Sequence, residues 1–175
     1  MNKVIFSLFF LIAIFITCNS YSQTRDGIAP VPITATITTS GTVLSPMSVT
    51  STRDLYFGND ILPGIRRTVD KNSNSSGKFS ILGQPGKEIS ITITSPGSLT
   101  FGASTLPLSF TETDAGYKLP GETMIEFDPA NTATAVFGAE GTMDIYLGGT
   151  VVPDYSQPGG NYSGTITVVF YYTGN

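Results

Sequence analysis

The chain has 175 residues, thirteen acidic against nine basic side chains, one cysteine and no histidine, for a net charge of −4. Such a balance, with no basic cluster and no basic amphipathic stretch, argues against a nucleic-acid or anionic-membrane surface. Lack of imidazole removes the commonest general base, and scarcity of thiol removes cysteine catalysis and the usual zinc ligands.

Residues 1–22 carry one early cation, Lys3, then an apolar run over residues 4–16, then small and polar residues ending Ser20-Tyr21-Ser22. This is the pattern of a secretory signal peptide, with cleavage expected after Ser22. The apolar run is too short for a comfortable membrane span. Cys18 as a lipoprotein acceptor is disfavoured, because Phe15-Ile16-Thr17 lacks the small residue that normally precedes one. The expectation is an exported chain that resides in the periplasm, at the outer surface or outside the cell. Removal of residues 1–22 takes Lys3 and Cys18 away and leaves 153 residues of net charge −5. Residues 23–175 amount to one domain, long enough to bury a core without disulfides.

Thr, Ser, Gly, Ile, Val, Phe and Tyr dominate the remainder, and no helical apolar period is sustained. Five Pro-Gly pairs, beginning at Pro63, Pro85, Pro96, Pro120 and Pro158, are expected to be turns. Between them lie alternating runs: Ile33-Ala35-Ile37; Val49 with Leu55 and Phe57; Phe79-Ile81; Ile89-Ile91-Ile93; Leu99-Phe101; Leu106-Leu108-Phe110; Ile125-Phe127; Met143-Ile145-Leu147. Strands at this spacing predict an all-β sandwich or barrel. Gly148-Gly149 should break the strand before it. Asp70 to Gly77 has no apolar residue and is expected to be a mobile surface loop.

The longest run closes the chain. Residues 161–172 read as one unbroken strand entered from the turn at Pro158-Gly159, with Gly164, Ile166, Val168, Phe170 and Tyr172 on one face and hydroxyl-bearing residues mostly on the other. A strand of that length should need neighbours on both edges. Its inward face is expected to be buried with Ile91, Ile93 and Ile145, so that Ile91, Ile93, Ile145, Ile166, Val168 and Phe170 share a core.

Several short motifs occur in a fixed order: Ser48-Val49-Thr50-Ser51-Thr52-Arg53-Asp54-Leu55-Tyr56-Phe57-Gly58, Phe79-Ser80-Ile81-Leu82-Gly83, Ile145-Tyr146-Leu147-Gly148-Gly149-Thr150, and Asn161-Tyr162-Ser163-Gly164-Thr165-Ile166-Thr167-Val168. Together they resemble a family of secreted bacterial domains catalogued as of unknown function, over about residues 30–173. Those domains are in turn similar to spore coat protein U and Mat-type fimbrial subunits. The resemblance implies an immunoglobulin-like antiparallel β-sandwich, pilin-like, used as a non-catalytic structural subunit of a surface fibre or coat. It implies self-association or other surface subunits as partners, with a periplasmic chaperone as a further one.

Catalytic and metal constellations are weak. Ser75-Ser76-Gly77-Lys78 has a Ser-x-x-Lys spacing but lies in a loop running into a strand, not on a helix. Gly83-Gln84-Pro85-Gly86-Lys87 lacks phosphate-loop spacing and is expected to be a hairpin turn. The pairs Glu126/Asp128 and Glu112/Asp114 could share a strand face, yet both stand at expected strand ends, where solvated charges discourage edge pairing. No catalytic residue, cofactor or metal is therefore assigned. Two candidate sites remain. One is a strand-addition interface of Ile33, Ala35 and Ile37 with Ile166, Val168 and Phe170, in which residues 31–39 pair within their own sandwich or with another copy. The other is a ligand tip of Tyr155 and Tyr162 beside the Pro158-Gly159 turn, where a tyrosine could stack on a sugar ring or simply cap the core. Under that alternative the chain is a self-contained surface binding or adhesion module for a glycan or protein.

Overall fold

The computed structural model describes residues 37, 38 and 40–174. The chain divides between Thr42 and Val43, and of the first unit only a few exposed residues are described. The expected signal peptide, Cys18, Ile33 and Ala35 thus lie outside the described residues. The second unit holds twelve strands: β1 Ser48–Arg53, β2 Arg67–Val69, β3 Gly77–Leu82, β4 Glu88–Thr94, β5 Ser98–Phe101, β6 Ser104–Ser109, β7 Ala115–Lys118, β8 Ile125–Phe127, β9 Ala133–Val136, β10 Thr142–Leu147, β11 Gly149–Val151 and β12 Thr167–Tyr172. No helix occurs among the described residues.

Every ladder is antiparallel, and the fold is the expected β-sandwich. One sheet has the order β1-β3-β10-β7-β8, and the others are β12-β4-β9 and β2-β11-β6-β5. The two smaller sheets are joined, because β4 leads into β5 through Ser95-Pro96-Gly97 and Ser163, ahead of β12, bridges Thr100 of β5.

The inward faces follow the period of two. Ile81, Met143 and Ile145 come from the five-stranded sheet and meet Ile89, Ile91 and Ala135, with Phe137 closing the cluster, all at most 3% exposed. A second cluster gathers Phe57, Val69, Leu106, Leu108 and Val151. Met143, Ile145 and Leu147 alternate inward as the sequence indicates. At Gly148 the chain leaves one sheet for another. A Cβ there would come within 2.5 Å of the Val69 carbonyl oxygen and 2.8 Å of the Lys71 nitrogen, so only glycine passes.

Several expectations are corrected. Residues 161–172 are not one strand: regular pairing is confined to Thr167–Tyr172, with an isolated bridge at Ser163. The interruption falls where the partner chain bends at Ser95-Pro96-Gly97 between β4 and β5. Nor does β12 have neighbours on both edges, since β4 is its only partner among the described residues. Ile91 and Ile145 are fully buried, whereas Ile93, Ile166, Val168 and Phe170 are half-buried at the margin of the core.

The 70–77 segment is tied down rather than loose. Ser76 is wholly buried and Lys71 is 7% exposed, held by bonds from Ser73 N–H to Asp70 O and from Ser76 Oγ to Ser73 O. Leu55 and Phe57 lie beyond the end of β1 in an irregular segment. Gly64, Gly86 and Gly121 have positive φ as their turns require, but Gly97 and Gly159 do not, and the turn near Pro158 falls instead at Tyr155-Ser156.

The crossing gives a direct test. Gly148→Ala should cost about 1–3 kcal/mol in urea unfolding, because fixed backbone must yield. Gly159→Ala, where nothing lies within 4 Å of an added Cβ, should unfold like the parent.

Candidate functional site: a groove beside an open strand edge

Marginal strands of natural sheets are usually blunted by shortness, charge, proline or a bulge, because their free N–H and C=O groups otherwise pair with other chains. Here β2 and β8 have three residues each and β9 has four. β1 ends in Arg53, and its register shifts between Ser51 and Arg53. β12 has none of these devices: its six residues, Thr-Val-Val-Phe-Tyr-Tyr, contain no charge and no proline.

The bonding pattern fixes which groups it leaves open. Thr173 N–H donates to Glu88 O, so by antiparallel alternation Thr167, Val169 and Tyr171 bond to β4. Val168, Phe170 and Tyr172 therefore turn their main-chain groups away from β4. Ser163 exchanges both bonds with Thr100, at 2.8 and 3.0 Å, so Tyr162 and Gly164 are directed outward in the same way.

The chain that leads into β12 borders a groove of about 900 Å³. One wall is the end of β1 with the segment after it, from Ser51 to Ile61, and the other is the chain from Gln157 to Ile166. Phe79, Leu99, Leu106, Leu108 and Leu147 give the lining its apolar character, with Arg53 and Asp54 also on it. Arg53 is fixed there by bonds from Nε to Ser76 O at 2.6 Å and from a terminal nitrogen to Ser76 Oγ at 2.7 Å. The opposite wall is close-packed: Phe101 and Tyr162 rings lie 5.7 Å apart, and a Cβ on Gly160 would meet the Phe101 ring at 2.2 Å.

The structure gathers part of the expected strand-addition set. Ile166 lines the groove and packs on the second cluster, while Val168 and Phe170 pack from β12 onto the first. Ile37 is 93% exposed. The irregular part of the wall after Arg53 has no signal in the sequence, because Leu55 and Phe57 occupy alternate positions like strand residues. The two candidate tip tyrosines have different settings. Tyr162 Oη donates to Pro158 O at 2.8 Å and is bonded by Gln157 Nε2 at 2.6 Å, which commits it to its own loop. Tyr155 is 92% exposed.

The carboxylates are employed singly. Glu126 pairs with Lys71 at 2.8 Å, and Lys71 also donates to Thr113 O at 2.7 Å. Asp128 accepts from Ala130 N–H and Asn131 Nδ2, and Asp114 from Thr111 N–H. Among the described residues no three His, Cys, Asp or Glu side chains converge on a common point.

On paired positions of β3 and β10, Asp144 accepts from Ser80 Oγ at 2.6 Å and pairs with Lys78 at 2.8 Å, and Lys78 lies 5.4 Å from the Tyr146 ring centroid. Burial alone would raise the Asp144 pKa, but bonds from Lys78 and Ser80 outweigh it and hold the carboxyl below its ordinary value. The bond to Asp144 raises Lys78, which keeps it a cation and unsuits it as a base.

The fold and groove thus define a small antiparallel sandwich in which, among the described residues, the edge of β12 is open and uncharged. Residues 28–172 match a domain of unknown function, DUF4402, and the chain belongs to that family. No curated protein matches the chain.

A pH prediction follows from Asp144. A depressed carboxyl stabilises the fold above its unfolded pKa, near 3.8, and loses that contribution as pH falls through the lower folded value. Asp144→Asn should therefore be less stable than the parent at pH 7 by no more than about 1 kcal/mol, given the pair's exposure. The two melting curves should converge as pH falls below 3.8 and through the lower folded value.

Proposed function

We propose that this protein is an exported, non-catalytic structural subunit of a bacterial surface fibre or coat, whose copies join by β-strand addition. The observation that carries this reading is the uncharged free edge of β12, which continues directly from Ile166 in the wall of a largely apolar groove. Main-chain bonds along Val168, Phe170 and Tyr172 supply affinity, and side chains entering the groove supply register. The incoming strand is residues 31–39 of another copy, with Ile33, Ala35 and Ile37 as its inward face. Other surface subunits and a periplasmic chaperone are partners of the same chemical kind, since each can offer an extended strand. The similarity of this type of domain to spore coat protein U and Mat-type fimbrial subunits, drawn from the sequence motifs, points the same way.

A second reading, a self-contained binding module, draws on Tyr155, which stands in solvent near Leu62 and Ile65, 62% and 58% exposed. These residues lie on loops that Gly64 N–H joins to Pro153 O at 3.1 Å.

Deletion of residues 23–40 tests the first reading. Size-exclusion chromatography and electron microscopy should show polymer for the intact exported chain and none for the deletion. The shortened sandwich should gain stability when a peptide spanning residues 31–39 is added, by about 2.7 kcal/mol at a hundredfold excess over Kd. An intact chain that stays monomeric at high concentration sinks the fibre reading and favours the binding module.

A further inference from the structure

We propose that the groove is a binding site for an unesterified long-chain carboxylic acid, whose carboxylate sits on the Arg53 guanidinium and whose acyl chain lies along the apolar floor. The site goes beyond the strand-addition reading, because it uses the groove itself and needs neither the edge of β12 nor a second copy.

Arg53 supplies the charge. Its Nε and one terminal nitrogen donate to Ser76 O and Oγ at 2.6 and 2.7 Å, and because Ser76 is wholly buried these bonds fix the plane of the guanidinium. The edge formed by its two terminal nitrogens is left over, and that fork receives a carboxylate through two parallel hydrogen bonds. Among the described residues Glu126 and Asp144 pair with Lys71 and Lys78, and no carboxylate pairs with Arg53. Asp54, next in the chain, is exposed and leaves it uncompensated. A half-buried cation without a counter-ion, on the lining of an apolar groove, draws an anionic head to that point.

The floor suits an acyl chain. Phe79 of β3 and Leu147 of β10 line it together with Leu99 of β5 and Leu106 and Leu108 of β6, so apolar side chains from two sheets form one channel. Its volume of about 900 Å³ lies within the roughly 300–1,000 Å³ of small-molecule sites. Both walls are set without a ligand: Arg53 is bonded to Ser76, Ser163 exchanges main-chain bonds with Thr100, and the Phe101 ring lies against Gly160. A polyhydroxylated ligand such as a sugar needs convergent polar groups, and the half-buried ones here are already used. Tyr162 Oη donates to Pro158 O, and Gln157 Nε2 donates to Thr105 O and Tyr162 Oη. Ser51, Asp54, Asn59 and Asn161 have unengaged polar side chains but are exposed, at the rim rather than on the floor. One charged head on an apolar body matches that arrangement.

Octanoate, decanoate and dodecanoate, each below its micelle concentration, test the site on the exported chain by titration calorimetry, with NMR shifts of side-chain methyl groups reporting where they bind. Each lengthening by two methylenes should tighten binding roughly tenfold, the worth of two buried methylenes. Methyl groups of Leu99, Leu106 and Leu108 should shift, and those of Ile89 and Ile91 in the other cluster should not. Decanol, which keeps the chain and lacks the carboxylate, should bind at least about tenfold more weakly than decanoate. Arg53→Gln should bring decanoate to the level of decanol and leave decanol unchanged. No binding, an affinity indifferent to chain length, or shifts outside the groove overturns the proposal and leaves strand addition standing. Equal affinity for decanoate and decanol removes the role of Arg53 and with it the proposal. A chain that binds decanoate in this way and never polymerises upholds the site and removes the fibre reading. If Arg53→Gln does not fold, the comparison of decanoate with decanol on the unaltered chain decides.

Discussion

A single run of chain, β10 into β11, serves both halves of the core, and the rest of the sandwich is arranged around its crossing at Gly148. Met143 and Ile145 belong to one cluster and Val151 to the other. Gly148 N–H donates to Asp114 O at 2.7 Å, which ties the crossing to the start of β7. The space a side chain would need is taken by backbone of Val69 and Lys71, so the segment after β2 is pressed over the crossing. That proximity explains why a segment without apolar residues is buried at Lys71 and Ser76. The Lys71 ammonium is desolvated, but Glu126 and the Thr113 carbonyl supply the partners without which a buried cation would be strongly destabilising. Ser76 in turn receives Arg53, which fixes the position of the groove wall.

Legibility in the sequence tracks how local the cause is. The inward alternation of β4 and β10 was readable, because the period of two is set by the strand's own pleat and one face of each is buried. Side-chain alternation over residues 161–172 was equally readable, but continuity of the ladder was not. It depends on where the partner bends, and that bend lies some seventy residues away, at Ser95-Pro96-Gly97. Pro96-Gly97 and Pro158-Gly159 looked like the other Pro-Gly pairs for the same reason: a dipeptide favours a turn, and tertiary context decides whether the glycine takes positive φ.

The candidate site divides along the same line. Ile166, Val168 and Phe170 were identifiable as members of a long apolar face. That they stop at half-burial could not be read, because exposure depends on what does or does not lie alongside. Leu55 and Phe57 alternate as strand residues do, yet the wall is strand only as far as Arg53 and irregular from Asp54 to Ile61. Arg53, near the start of that stretch, bonds across to Ser76, twenty-three positions away, a contact that no local pattern announces.

The form of the open margin restricts what can cover it. Val168, Phe170 and Tyr172 present apolar side chains on one side and a row of unpaired main-chain donors and acceptors along the edge. A helix or a compact small ligand could fill an apolar groove, but neither offers main-chain groups at the spacing of a strand. An extended strand does offer main-chain groups at the spacing of those along β12. Left open, an uncharged six-residue edge invites pairing with any exposed strand. Side chains of unequal size at alternate positions of a partner strand restrict such pairing to one register, which is the difference between ordered addition and aggregation.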